Sequence, residues 1–122
     1  MKHITITIFI ALTLSLLLWG CGSKTGTYGQ AITETKTTKI GDILTTTNQF
    51  AGKTVKVDGK IIEECPAGGW FMLKDDTGLI LVNLHPSYFA IPQAVGKRAI
   101  AQGVVKKEGT RIEVVGKGVL LQ

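Results

Sequence analysis

The residues that could do chemistry surround one loop near the middle of the chain, CPAGGW, at positions 65–70. Cys65 brings a thiol, and His85 stands twenty positions further along the chain. Thiolate, imidazole and carboxylate are the groups that bind zinc in proteins. The neighbouring carboxylates are Glu63, Glu64, Asp75 and Asp76. Because their spacing matches no compact zinc motif, a metal site on Cys65 and His85 is an alternative hypothesis rather than the main one.

Three roles for Cys65 stay open: a structural loop residue, half of an intermolecular disulfide, or a thiol used in redox or metal chemistry. A reactive thiol needs cationic neighbours or a helix N-terminus, whereas Cys65 follows Glu63 and Glu64. The other cysteine, Cys21, directly follows a targeting segment and lies outside the expected folded domain, so we expect no internal disulfide. The structural role is favoured.

Aromatic and basic side chains near the same loop could form a ligand-binding surface, because bases and sugar rings stack on exposed aromatic rings. Trp70 and Phe71 are adjacent, so in a strand they point to opposite faces, and one of them should pack in the core. The candidate ligand-binding residues are Trp70, Phe71, Lys74, Tyr88 and Lys56.

Catalytic motifs are missing from the sequence. It contains neither a nucleophile elbow nor a phosphate-binding glycine loop, and its residues do not follow a Ser-His-Asp order. We therefore predict a protein that is not an enzyme and needs no cofactor.

The first twenty residues have the pattern of an export signal. Lys2 and His3 precede an apolar run from Ile4 to Trp19, which at about 16 residues is short for a membrane span. An uncleaved anchor and an ordinary signal peptide are the alternatives. Removing this segment lowers the net charge from +5 to +4, which suits an anionic membrane surface.

The end of this signal, Leu18-Trp19-Gly20-Cys21, resembles the lipobox of bacterial lipoproteins. The resemblance implies that residues 1–20 are removed and that Cys21 is acylated, so that membrane lipid is the first partner. It also implies a location in the cell envelope, on the periplasmic side of the outer membrane if the host is Gram-negative. Trp19 departs from the small residue that is usual at its position.

Residues 21–39 predict a flexible tether, because Thr, Gly, Ser and Lys dominate and almost nothing can be buried. A strand over residues 33–38 is the alternative, since Thr favours strands. The folded domain is expected over residues 40–122, beginning with a short helical segment over residues 41–50.

From Thr54 onward the hydrophobic period is two, which predicts strands. Three strands are expected over residues 54–62, 70–74 and 79–85, and the turn between the second and third is predicted to rely on a positive φ at Gly78. A short helix or ordered loop and a last hairpin over residues 98–115 follow. The last strand resumes at residues 119–121, after Gly116 and Gly118. Five strands in this order predict an all-β OB-fold barrel, with an open SH3-like barrel as the rival.

The barrel residues also resemble a known group of proteins. Gly52-Lys53, the alternating Val55, Val57 and Gly59, and then Cys65-Pro66 leading to Trp70-Phe71 look like small bacterial extracytoplasmic OB-fold proteins of the tRNA-anticodon-binding-like type. Related sequences often carry a second cysteine just before the Trp, where this chain has Gly69.

These observations favour a membrane-anchored binding or scaffolding module. The expected partner is an envelope protein, a glycan or a small ligand on the Trp70 face. Metal or thiol handling through Cys65 and His85 is the first alternative. Nucleic-acid or oligosaccharide binding is the second, although nucleic acid is scarce outside the cytoplasm and therefore disfavoured.

Overall fold

The computed structural model describes residues 26–122, which form a β-barrel with two short helices. The strands are β1 Gly26–Gly29, β2 Thr54–Glu64, β3 Trp70–Lys74, β4 Leu79–Asn83, β5 Arg98–Glu108 and β6 Arg111–Leu121. The helices are α1 Ile40–Thr45 and α2 Thr47–Phe50, and a single 3-10 turn covers His85–Ser87.

Five of the strands close the barrel. Strands β2, β3 and β4 form an antiparallel meander, β4 pairs parallel to β6, and β5 pairs antiparallel to both β6 and β2. This is the connectivity of an OB-like barrel. The predicted fold class is therefore confirmed, including a helical segment before the first barrel strand and another between the third and fourth.

The core follows from the two-residue alternation of the strands. Phe71, Val82, Val114 and Val105 are successive cross-strand partners, and all four are buried. Helix α1 adds Ile40 and Ile43, which are fully buried as well. The barrel thus has one continuous apolar interior.

Strand β6 continues past the glycines at which the sequence predicts an interruption. The register between β5 and β6 shifts there, since Gln102 pairs with Gly118 while Gly103 pairs with Gly116. A Cβ atom on Gly103 would lie 2.1 Å from the carbonyl oxygen of Val115. The strand therefore bends at a bulge, and the glycine permits the close approach.

The turn between β3 and β4 depends on a side chain rather than on a left-handed glycine. Asp75 Oδ1 accepts hydrogen bonds from the N–H groups of Thr77 (2.7 Å) and Gly78 (2.9 Å). The predicted positive φ at Gly78 is wrong, because Gly78 is not among the glycines whose φ is positive. A Cβ atom on Gly78 would instead crowd Ile40 and Leu44 at 3.2 Å, so this glycine lets the helical segment pack on the turn.

Residues 26–39, which we call the N-terminal strap, lie along the outside of the barrel. Strand β1 pairs with the end of β6, beyond the part of β6 that pairs with β4. Further on, the N–H of Thr38 donates to the carbonyl oxygen of Lys56 (2.8 Å), on the part of β2 before its pairing with β3 begins. The strap therefore covers two strand edges that the barrel leaves open.

The middle of the strap is held by one buried amide. Gln102 is 7% exposed, and its Oε1 accepts the N–H groups of Thr33 and Glu34, each at 2.8 Å. The part of the predicted flexible tether that the structure describes is therefore bound to the barrel. Residues 33–38 form only an isolated bridge, between Thr37 and Lys56.

The signal segment 1–20, and with it residues 21–25, lie outside the described residues. Within residues 26–122 no helix has the length and apolarity to cross a membrane.

Candidate ligand groove

An open groove of about 350 Å³ lies on the outer faces of β3 and β4. We call it the β3–β4 groove, and its lining residues are Glu63, Trp70, Met72, Leu81, Asn83, His85 and Arg111. Three of these side chains, Trp70, Met72 and Leu81, are mainly apolar, and the others are polar or charged. Apolar side chains with a few polar groups are the usual composition of a small-ligand site.

The groove exists because both faces of these strands are apolar. On β3, Phe71 and Leu73 are buried inside the barrel, whereas Trp70 and Met72 point outward and stay half-buried. On β4, Leu81 is half-buried in the same outward position and pairs directly with Met72. An outward apolar row of this kind leaves a surface that a ligand can cover.

An ion pair between exposed Arg111 and buried Glu113 positions the cation of the groove. One guanidinium nitrogen of Arg111 lies 2.9 Å from Oε2 of Glu113, which is 5% exposed and pairs across the sheet with Leu81. The pair holds the guanidinium beside the apolar floor, and the guanidinium has further N–H donors. Glu63, which pairs with Met72 on the other side, places a carboxylate across from it.

The CPAGGW loop forms the turn that seats Trp70 at one end of the groove. The N–H of Cys65 donates to the carbonyl oxygen of Trp70 (3.0 Å). The N–H of Gly68 donates to the carbonyl oxygen of Cys65 (2.8 Å). Gly68 has a φ of +77°, and a Cβ atom there would lie 2.0 Å from the carbonyl oxygen of Ile91. Only glycine fits this position.

Gly69 and His85 are in direct contact. A Cβ atom on Gly69 would lie 2.4 Å from Cε1 of the imidazole, so any larger residue would displace the ring. His85 borders both the groove and a second hollow, which Tyr88 and Phe89 help to line. A cysteine in place of Gly69, as in the related sequences, would therefore change the position of His85.

The structure brings only part of the predicted ligand-binding set together. Trp70 lines the groove, and Lys74 lies outside it, at the far end of the same strand. Phe71 is 0% exposed and packs in the core, which corrects its assignment to the ligand surface. Lys56 does not line the groove, and its Nζ donates to the strap at the carbonyl oxygen of Thr35 (3.1 Å). Tyr88 is 95% exposed in the second hollow.

The sequence does not identify most of the groove residues. Met72 and Leu81 could have been found from the strand period of two. Met72 lies two residues after Trp70, and Leu81 lies two residues after Leu79, so each strand has two apolar side chains on its outward face. Arg111 could not, because the parallel pairing of β4 with β6 brings it to Leu81 from 30 positions away.

Cys65 is half-buried in its loop, and His85 is exposed beside Gly69. Among residues 26–122, no group of three or more His, Cys, Asp or Glu side chains could hold a metal ion. The predicted lipidation site, Cys21, lies outside the described residues.

The fold and the groove together define an all-β, OB-like barrel with an open groove on its outer face. No family model and no curated protein matches the chain. Among solved structures, the barrel is similar to the hypothetical protein ygiW from E. coli, with a TM-score of 0.56 and 19% sequence identity. The match covers 71% of this chain and 90% of that one, and it shows the fold alone.

Proposed function

We propose that this protein is a lipid-anchored component of the bacterial envelope that binds its partner, without catalysis, in the β3–β4 groove. The observation that carries the binding function is the outward row of Trp70, Met72 and Leu81 on two strands whose inward faces already fill the core. Apolar side chains that add nothing to the core are explained by a ligand that covers them.

The polar groups around the row favour a flat ligand that carries hydrogen-bonding groups. Trp70 offers a ring face for stacking, while Asn83, Glu63 and Arg111 offer amide, carboxylate and guanidinium groups nearby. A sugar ring or a short peptide of an envelope partner meets both requirements, and OB-folds bind oligosaccharides on the corresponding strands. The lipid anchor at Cys21 rests on the resemblance of Leu18 to Cys21 to a lipobox.

The groove can be tested through the fluorescence of Trp70. Trp19 and Trp70 are the two tryptophans of the chain. Because the proposed cleavage before Cys21 removes Trp19, Trp70 is the sole reporter in the mature protein. The probes are soluble glycan fragments and peptide fragments from digested bacterial envelopes. We expect one of the two to shift the Trp70 emission in a saturable manner.

The matched variants separate binding from folding. Trp70→Ala lacks the fluorescent reporter, so its binding is measured by titration calorimetry. The variant should weaken binding roughly fivefold or more, since one stacked ring contributes about 1–3 kcal/mol, and should lower stability much less than the loss of a core ring does. The control is Val95→Ala, which removes an apolar side chain that is 57% exposed and lies outside the groove. If Trp70→Ala reduces stability and binding in parallel, or if neither probe binds, the groove is not the functional site.

A further inference from the structure

A row of basic side chains crosses β3, β2 and β5 on the outside of the barrel. Lys74 is the cross-strand partner of Lys60, and Lys60 is in turn the partner of Arg98. Lys97 lies next to this row, in the turn that leads into β5, where it is half-buried. We call these four residues the basic row, and none of them lines the β3–β4 groove.

This arrangement is unfavourable for the isolated barrel. Like charges that face each other directly in neighbouring strands destabilise a sheet. Arg98 is compensated, since its Nε donates to Oδ1 of Asp58 at 2.9 Å. Within the described part of the chain, the ion pairs include neither Lys60 nor Lys74.

The acidic residues next to Lys74 in the sequence do not compensate it. Asp75 accepts main-chain hydrogen bonds from Ile40 and from its own turn. Asp76 forms its ion pair with Lys39 (3.1 Å). The positive charge of Lys60 and Lys74 therefore remains available to an anion from outside the molecule.

The basic row begins close to the point where the chain enters the barrel. Gly26 pairs with Leu121, and Leu121 pairs with Ala99, the neighbour of Arg98. The N–H of Gln122 also donates to the carbonyl oxygen of Arg98 (3.0 Å). Because adjacent strands lie about 4.8 Å apart, Arg98 is roughly 10 Å from Gly26.

The sequence leaves little length between this entry point and the proposed lipid anchor. Four residues separate Cys21 from Gly26, and one of them is Lys24. At 3.8 Å per step, even a fully extended chain holds Gly26 within about 19 Å of the acylated residue. A barrel bound by its strap cannot move further from the membrane, and a surface charge is felt within about 10 Å of it.

We propose that the basic row binds anionic phospholipid headgroups and orients the barrel on the membrane, leaving the β3–β4 groove accessible. This inference rests on the proposed lipid anchor at Cys21. Anionic headgroups would relieve the repulsion between Lys60 and Lys74, and each basic residue near such a surface strengthens the attraction.

Amine acylation read by mass spectrometry tests the orientation on the native, lipidated protein. The protein is purified from envelopes and reconstituted in vesicles of phosphatidylcholine alone or with 30% phosphatidylglycerol as the probe lipid. We expect Lys60, Lys74 and Lys97 to react several-fold more slowly when phosphatidylglycerol is present, and the protection to disappear in about 0.5 M salt. Lys53 and Lys107, exposed lysines outside the row, serve as internal controls and should not change.

The variant Lys60→Glu sharpens the test without threatening the fold. A carboxylate between Lys74 and Arg98 replaces repulsion by attraction, so this variant should be at least as stable as the parent. It should nevertheless lose most of the protection of Lys74 and Lys97. Lys53→Glu is the matched control and should retain that protection.

The outcomes distinguish the orientation from the anchor. Labelled palmitate on the wild-type chain but not on a Cys21→Ser variant supports the anchor. If palmitate is attached but phosphatidylglycerol slows the lysines of the row no more than it slows Lys53, the orientation alone is overturned. Protection that persists in pure phosphatidylcholine or in high salt would also overturn it. If palmitate never attaches, the anchor fails and the orientation fails with it.

Discussion

The N-terminal strap covers one outer face of the barrel, and the described residues leave another face uncovered. The face on β5 and β6 is covered by the N-terminal strap, and its buried amide, Gln102, has its oxygen bonded to two main-chain N–H groups. The face on β3 and β4 carries half-buried Trp70, Met72 and Leu81. No segment between residues 26 and 122 closes the groove over these three residues.

The N-terminal strap and the β3–β4 groove differ in the kind of contact that each needs. The strap completes strand edges, which need main-chain hydrogen bonds that any sequence can supply. The groove needs apolar contact, and the chain leaves that contact to be made by something else. Of the two faces, the one without its own cover is therefore the one expected to bind.

The largest effect should come from a comparison within β3 itself. Phe71→Ala removes a fully buried ring from the core and should cost about 4 kcal/mol of unfolding free energy. Trp70→Ala, one position away on the groove side, should cost much less, about 1 kcal/mol. Urea denaturation of both variants measures the difference. Equal losses would mean that Trp70 is as much a part of the packing as Phe71.

An intermediate effect is expected where the strap is held. Gln102→Ala leaves the N–H groups of Thr33 and Glu34 without their acceptor and should cost about 2 kcal/mol. Limited proteolysis should then cleave within residues 26–39, whereas the parent should resist cleavage there. Asn83→Ala, an amide removed from the groove face, is the control. If Gln102→Ala leaves the strap resistant to protease, the strap is held mainly by β1.

The barrel could be predicted because its evidence is local. Alternation from Val55 to Ile61 and again from Ala99 to Val105 is visible in a few residues, and the Asp75-to-Gly78 turn lies between two strands. The chemistry of this turn is less visible in the sequence. The residue types predict a positive φ at Gly78, whereas hydrogen bonds to the side chain of Asp75 form the turn.

The strap and the groove could not be predicted because their evidence is distant. The strap lacks an apolar period, and its central hydrogen bond joins Thr33 to Gln102 across 69 positions. The groove depends on the register that places Leu81 opposite both Met72 and Glu113. Composition describes what a segment can bury, and it does not describe where its main-chain groups find partners.

The smallest predicted effect concerns the end of the strap, where the chain enters α1. Asp75 Oδ2 accepts the N–H of Ile40 (2.9 Å). Burial raises the pKa of Asp75, but hydrogen bonds from Thr77, Ile40 and Gly78 outweigh it, so that the pKa is lowered overall. Asp75→Asn should therefore cost about 1 kcal/mol at pH 7.

The pH dependence of this loss gives the sharper test. Because the folded-state pKa lies below the ordinary carboxyl value near 4, the carboxylate stabilises the fold above that pH and ceases to do so as the pH falls through the lowered pKa. Unfolding free energies at pH 7 and pH 3 should show the parent losing its advantage over Asp75→Asn in acid. Asp76→Asn, in an exposed pair with Lys39, is the control and should change stability little at either pH. If Asp75→Asn lowers the unfolding free energy equally at both pH values, the charge of Asp75 does not help to hold the start of α1. Packing alone would then hold the chain at the end of the strap.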